Sequence, residues 1–133
     1  TPSMDEAPEK ERLSWANLVA EAHFRLALDF LKNQRHEAVL AEIERALTWL
    51  PEDGIYLYHL GLAFHRLGRF EEAFATYERP WQIEPSWRVA YDMALAALQG
   101  GELFSSKTCD ETLARLESVT PERALAKAAI ERA

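Results

Sequence analysis

The stretch GIYLYHLGLAFHRLGRFEEAFATYERPWQIEPSW, residues 54–87, decides the fold. Its first half carries Leu57, Leu60, Gly61 and Phe64 at helical spacing and closes on Gly68. Its second half carries Ala73, Tyr77 and Trp81, each four residues from the last, and closes on Pro85. Apolar residues recurring every three or four positions form one stripe along a helix. Glycine supplies the positive φ that ends a helix, and proline has no N–H with which to continue one. The stretch therefore reads as two helices joined by a tight turn. Gly61 is small where the two helices would cross, so their backbones can approach closely.

The same frame recurs 34 residues upstream as His23, Leu26, Ala27 and Phe30, followed by Val39, Ile43, Ala46, Leu47 and Pro51. Glu44-Arg45 falls on Glu78-Arg79 in the same register. Downstream, Ser86 can cap a helix from about Trp87, and Tyr91, Ala94, Leu95 and Leu98 take the places of Leu57, Leu60, Gly61 and Phe64. There the period loosens. Gly100-Gly101 breaks the helix, and Leu103-Phe104-Ser105-Ser106 forms a longer connection. The next helix is expected from Cys109 or Asp110 to Ser118, and Pro121 arrives two residues late. A last helix is expected from Thr120-Pro121 to the chain end, with Leu125, Ala128 and Ala129 covering the unit before it. At the other end, Trp15, Val19, Ala22, Leu26 and Phe30 keep helical spacing, with no Gly or Pro between Pro8 and Gln34. A long first helix starting between Pro8 and Ser14 follows.

Leu60-Gly61, the aromatic Phe64, Gly68, Ala73, Tyr77 and Pro85 together resemble the tetratricopeptide repeat signature. The resemblance is close over residues 20–98, loose over 99–133 and absent from 1–19. It implies an all-α, right-handed array of helical hairpins, an α-solenoid with a C-terminal capping helix. The divisions are an extension of the first helix (1–19), repeats at 20–53 and 54–87, a degenerate third repeat (88–120) and the cap (121–133). It further implies a concave groove lined by the first helix of each unit, with the second helices forming the back. Phe24, Leu28, Leu31, Ile55, Tyr58, Leu62, Val89 and Met93 fall on the groove, edged by His59, His65 and Asp92.

A protein–protein interaction module follows from the resemblance: an adaptor, chaperone or assembly factor that holds an apolar or amphipathic-helical protein segment. The family's acidic-tail ligands are gripped by lysine, asparagine and arginine on the groove. Here Phe24 and Leu28 stand where the first lysine and asparagine would be. His59 replaces the second asparagine, and Val89 and Met93 replace the final lysine and arginine. An acidic chaperone tail is therefore not the expected ligand. The alternatives are a fixed subunit of a larger complex, a homo-oligomer, a regulatory domain of a larger protein, or a groove filled by the chain's own termini.

Certain residues carry sharper expectations. Pro80 stands where the family has a small residue, and should end or kink its helix near Arg79, because proline loses the bond to Thr76. Trp49 and Trp81 are expected in the packing between units. Trp87 is expected as part of a hydrophobic staple. His23 takes a position that the family fills with tryptophan, so a half-buried core residue is expected there.

Composition bounds the rest. A chain of 133 residues with 48 % apolar content suffices for one domain with a core. A net charge of −7 argues against nucleic acid, which needs a concentrated basic face. It leans toward a basic partner, although the acidic residues are spread as solvation alone would spread them. The single cysteine, Cys109, excludes an intrachain disulfide and a multi-cysteine zinc site. No apolar run approaches a membrane span, and no basic-then-apolar leader opens the sequence, so a cytoplasmic protein is expected. The chain begins with Thr1 rather than methionine, as a piece of a longer protein would. The four histidines His23, His36, His59 and His65 are the candidates for acid–base work. His59 and His65, six apart, point to different sides of one helix and do not form a metal pair. No nucleophile elbow, phosphate loop or metalloprotease helix is present. Neither catalysis, nor a cofactor, nor a metal is expected.

Overall fold

The computed structural model describes residues 9–119, so the expected capping helix at 121–133 lies outside the described residues. The described chain is all-helical: α1 (Glu9–Lys32), α2 (His36–Trp49), α3 (Gly54–Arg66), α4 (Phe70–Ile83), α5 (Trp87–Gly100), a 3-10 turn (Gly101–Leu103) and α6 (Ser106–Val119). No strand occurs among the described residues. Each helix packs on its sequence neighbour, because connections of three to five residues force the chain to double back.

The turns repeat in atomic detail. After α3, Gly68 takes φ 76°, the Arg69 N–H donates to Phe64 O at 2.9 Å and the Gly68 N–H donates to His65 O at 3.0 Å. This pair of bonds is a Schellman motif, which satisfies carbonyls left open at the helix end. After α1 the same bonds run from Arg35 to Phe30 O (3.0 Å) and from Gln34 to Leu31 O (3.0 Å). Gln34 adopts φ 58° there, a left-handed conformation that disfavours a side-chain-bearing residue by about 1–2 kcal/mol. In both turns the arginine stacks on the aromatic ring that closes the helix: Arg35 lies 5.0 Å from the Phe30 centroid and Arg69 4.7 Å from the Phe64 centroid.

The core assembles from these hairpins in sequence. Ala27 of α1 and Val39, Leu40 and Ile43 of α2 are buried under α3, which contributes Leu60, Ala63 and Phe64. Ala73 and Tyr77 of α4 are buried with Val89 and Met93 of α5, against Tyr58 and Leu62 of α3. Gly61 sits at the α3–α4 crossing. A Cβ there would lie 2.5 Å from Tyr77 Cδ1 and 2.9 Å from Cζ, so the crossing admits only glycine at this distance.

Several expectations are corrected. α4 does not end near Arg79. It continues through Pro80 to Ile83, and the Glu84 N–H still reaches Pro80 O at 3.0 Å. Pro80 lies in the last turn, where it removes a single ladder bond, and its ring is buried, which offsets part of that loss. α6 begins at Ser106, not Cys109, because Ser105 caps it. The Thr108 N–H donates to Ser105 Oγ at 3.1 Å. Leu26 keeps the register of the frame but is 47 % exposed, whereas Leu60, one period later, packs on the preceding hairpin. Trp49 is 39 % exposed and joins none of the buried clusters, while Trp81 packs beside Tyr77 as expected. Trp87 forms no staple: it is the first residue of α5 and meets Tyr91 edge-on at 6.5 Å. His23 is half-buried as expected, with Nδ1 2.7 Å from the buried Glu42, which Arg45 also contacts.

Candidate functional site

α1, α3 and α5 come together through side chains. Phe24 of α1 has its ring centroid 5.0 Å from both Tyr56 and His59 of α3. The Tyr58 hydroxyl of α3 donates to Asp92 of α5, and His65 of α3 is hydrogen-bonded to Gln99 of α5. Both of these α3–α5 bonds join residues 34 apart. Equivalent positions on successive helices therefore face one another, as they do when one helical unit is laid on the next in register.

The eleven expected groove residues separate into groups. Val89 and Met93 are both buried in the α4–α5 core beside Tyr77. Met93 is wholly enclosed there, and Val89 keeps only an edge at the surface. Leu31 and Leu62 are half-buried edges of the two cores. Phe24 and Leu28 border a surface hollow with Glu21, Arg25, Asp29 and Lys32, so the α1 part of the face is rimmed by charge. His65 rests edge-on against Phe70 at 5.4 Å. His59 packs against Phe24 and Asp92 accepts from Tyr58, while Ile55 and Tyr58 themselves open onto a surface cleft.

That cleft measures about 500 Å³ and lies between the N-terminal ends of α3 and α5 and the C-terminal end of α4. Ile55, Tyr58, Pro80, Ile83, Trp87 and Val89 supply its apolar lining; Asp53, Glu84, Ser86 and Arg88 supply polar rim groups. Ile55 is 63 % exposed, Ile83 47 % and Trp87 42 %, so large apolar side chains stand uncovered at one place. Local chemistry holds the walls. Asp53 accepts from the Tyr56 N–H at 3.0 Å, and Ser86 Oγ accepts from the Val89 N–H at 3.3 Å, which caps α3 and α5 where they meet the cleft. The Arg88 guanidinium lies 5.1 Å from the Trp87 ring and steadies it.

Burial, and then the hydrogen bond to Asp92, raise the Tyr58 pKa, so the phenol stays neutral and its proton stays on the bond to the carboxylate. Tyr77 behind it is buried without a partner for its hydroxyl, and desolvation raises its pKa as well. Desolvation, followed by the charge of Arg66, lowers the pKa of His59. Among the described residues no three His, Cys, Asp or Glu side chains are grouped to hold a metal ion, and no described helix is long and apolar enough to cross a membrane.

Ile83, Trp87 and Arg88 were not among the groove residues read from the sequence: Ile83 ends a second helix, Trp87 was read as a staple, and Arg88 was not singled out. A signal was present: Trp81, Ile83 and Trp87 crowd the Glu84-Pro85-Ser86 turn, and a three-residue turn cannot bury them all. No family model matches the chain, and no curated protein matches it.

Proposed function

We propose that this chain is a tetratricopeptide-like protein-interaction module that holds an apolar or amphipathic-helical segment of another protein. In this reading it is a right-handed array of hairpins that carries no catalytic machinery, cofactor or metal of its own. The segment would enter the Ile55–Ile83–Trp87 cleft and run along the face of α1, α3 and α5, with Tyr58, His59, Phe24 and Leu28 beneath it. One observation carries the proposal. Three large apolar side chains stand exposed around a preformed cleft whose walls are fixed by two helix caps. Exposed aromatic and aliphatic anchors at a pocket are the usual carriers of binding energy. The Schellman turns, which recur 34 residues apart, and the two α3–α5 bonds, which each join residues 34 apart, support the solenoid part of the reading.

The charge pattern keeps an acidic tail out of favour. Phe24, Val89 and Met93 stand where such a ligand would need cations, and among the described residues lining the cleft the only basic group is Arg88. The test is affinity capture from native lysate with the wild-type chain, Ile55→Glu and Trp87→Ala, read by quantitative mass spectrometry. Both substituted side chains are exposed, so both variants should melt as the wild type does. A protein captured by the wild type should be depleted at least tenfold in both variants. Equal recovery in all three would refute the assignment of the cleft.

A further inference from the structure

α6 repeats α4 at a step of 36 residues. The two helices have the same length, and Ser106 and Val119 lie 36 residues beyond Phe70 and Ile83. Thr76 Oγ1 donates to Glu72 O at 2.7 Å, and at the same step Thr112 Oγ1 donates to Thr108 O at 2.7 Å. Pro85, two residues past α4, recurs as Pro121. In this register Cys109 takes the place of Ala73, and Leu113 takes the place of Tyr77. On α4 that face is covered: α5 lays Val89 and Met93 on it, and the four side chains form one buried cluster. α4 and α5 run antiparallel, so four residues forward from Ala73 to Tyr77 match four residues back from Met93 to Val89.

On α6 the same face lies open. α5 and α6 leave a cleft of about 350 Å³ between them, lined mainly by Tyr91, Ala94, Leu98, Cys109, Leu113 and Leu116. No described helix covers it; Leu98 is 77 % exposed and Leu113 50 %. Its lining is almost wholly apolar, so an apolar occupant is favoured there over water. The sequence that follows Val119 carries the residues for it. At the 36-residue step Val89 and Met93 become Leu125 and Ala129, and the buried Ala90 and Ala97 become Ala126 and Ala133. Arg132, in the place of the buried Ala96, departs from the pattern, although so long a side chain can carry its charge out to water. The sizes change in compensating directions. Leu113 is smaller than Tyr77 where Leu125 is larger than Val89, and Cys109 is larger than Ala73 where Ala129 is smaller than Met93.

We propose that residues 123–133 of the same chain seat as a helix in the α5–α6 cleft, with Leu125 on Leu113 and Ala129 on Cys109, as α5 seats on α4. The dimensions agree. Residues 123–133 would span roughly 16 Å of helix at about 1.5 Å per residue, and the 14-residue α6 offers roughly 21 Å. The connection agrees too, since Thr120-Pro121-Glu122 has the length of the Glu84-Pro85-Ser86 turn that brings α5 back onto α4. The cleft is then an internal joint and not a second docking surface, and the Cys109 thiol is shielded within it. This contact is separate from the Ile55–Trp87 cleft and does not depend on the function proposed for that site.

The experiment uses the full chain, in which Cys109 is the only native thiol. A second thiol is introduced by Ala129→Cys, or by Lys127→Cys as the control, because residues two apart in a helix project to opposite sides. Each variant is treated at low micromolar concentration with a short bis-maleimide, and the products are read by intact mass and peptide mapping. Ala129→Cys should bridge to Cys109 within one chain in about tenfold greater yield than Lys127→Cys. A second readout needs no crosslinker: Leu125→Glu should raise the thiol-labelling rate of Cys109 about tenfold over the wild type, with thermal melting as the check that the helices stay folded. Equal bridging at 127 and 129, or a Cys109 that labels as fast in the wild type as in Leu125→Glu, would overturn the proposal. Bridges between two chains instead of within one would overturn it too, and would assign the cleft to a second copy.

Discussion

Replacing Gly61 with alanine isolates the contact on which the hairpin packing rests. The new methyl carbon would sit 2.5 Å from Tyr77 Cδ1 and 2.9 Å from Cζ, against an ordinary carbon–carbon approach of about 3.5–4.0 Å. Tyr77 cannot swing aside: it is fully buried, with Ala73, Val89 and Met93 around it and the Tyr58 ring centroid 5.9 Å away. Overpacking of this kind costs about 1–3 kcal/mol, and the lack of any escape route puts it near 3. Alanine recovers about 1 kcal/mol of helix propensity over glycine. The net loss is about 2 kcal/mol. For a domain of this size, each kcal/mol moves the melting temperature by about 4 °C, so a fall of about 8 °C is expected. Circular dichroism at 222 nm reads it directly. The double variant Gly61→Ala, Tyr77→Leu separates steric cause from incidental loss, because removing the ring should cancel most of the Gly61→Ala penalty. An unchanged or raised melting temperature for Gly61→Ala alone would refute the close crossing and the repeat geometry built on it.

Three further outcomes follow from single residues. Pro80→Ala restores the bond to Thr76 at the loss of a buried ring, and should stabilise by about 1 kcal/mol in urea denaturation, well short of the roughly 3 kcal/mol of a mid-helix proline. Tyr77→Phe removes a buried hydroxyl that has no partner, and should be neutral or stabilising by up to about 1 kcal/mol; a loss larger than that would reveal a bond to that oxygen. His59 has its pKa lowered by burial, so the unfolded chain takes up a proton more readily than the folded one. Stability should therefore be full above the ordinary value of 6.5 and decline as pH falls from there toward the lower folded value. His59→Gln should remove that part of the pH dependence, measured by thermal melts across the range.

The legible parts of this molecule were those where local chemistry and packing agree. Leu60-Gly61, Gly68 and Ser86 each announce a geometry that one residue type supplies best, and the structure has the close crossing, the positive φ and the cap at those positions. Pro80 was misread because propensity describes an isolated helix interior, whereas this proline lies in the last turn with its ring buried. The start of α6 was misread because the sequence reading leaves Ser105 and Ser106 in the connection, whereas Ser105 Oγ accepts from the Thr108 N–H and begins the helix at once. The site was less legible than the fold. Periodicity could place Val89 and Met93 on the correct helix, but it could not say that they face Tyr77 instead of solvent. Ile83 and Trp87 escaped because they belong to different helices, and only the turn between them brings their side chains to one cleft.

The most direct test of the proposed interaction places a photo-crosslinking residue at one position at a time: at 55 or 87 in the cleft, and at 75, an exposed position on the other side of α4. After irradiation in native lysate, positions 55 and 87 should give the same discrete protein adduct and position 75 should not. Adducts of equal yield at all three positions, or none at 55 and 87, would contradict the account.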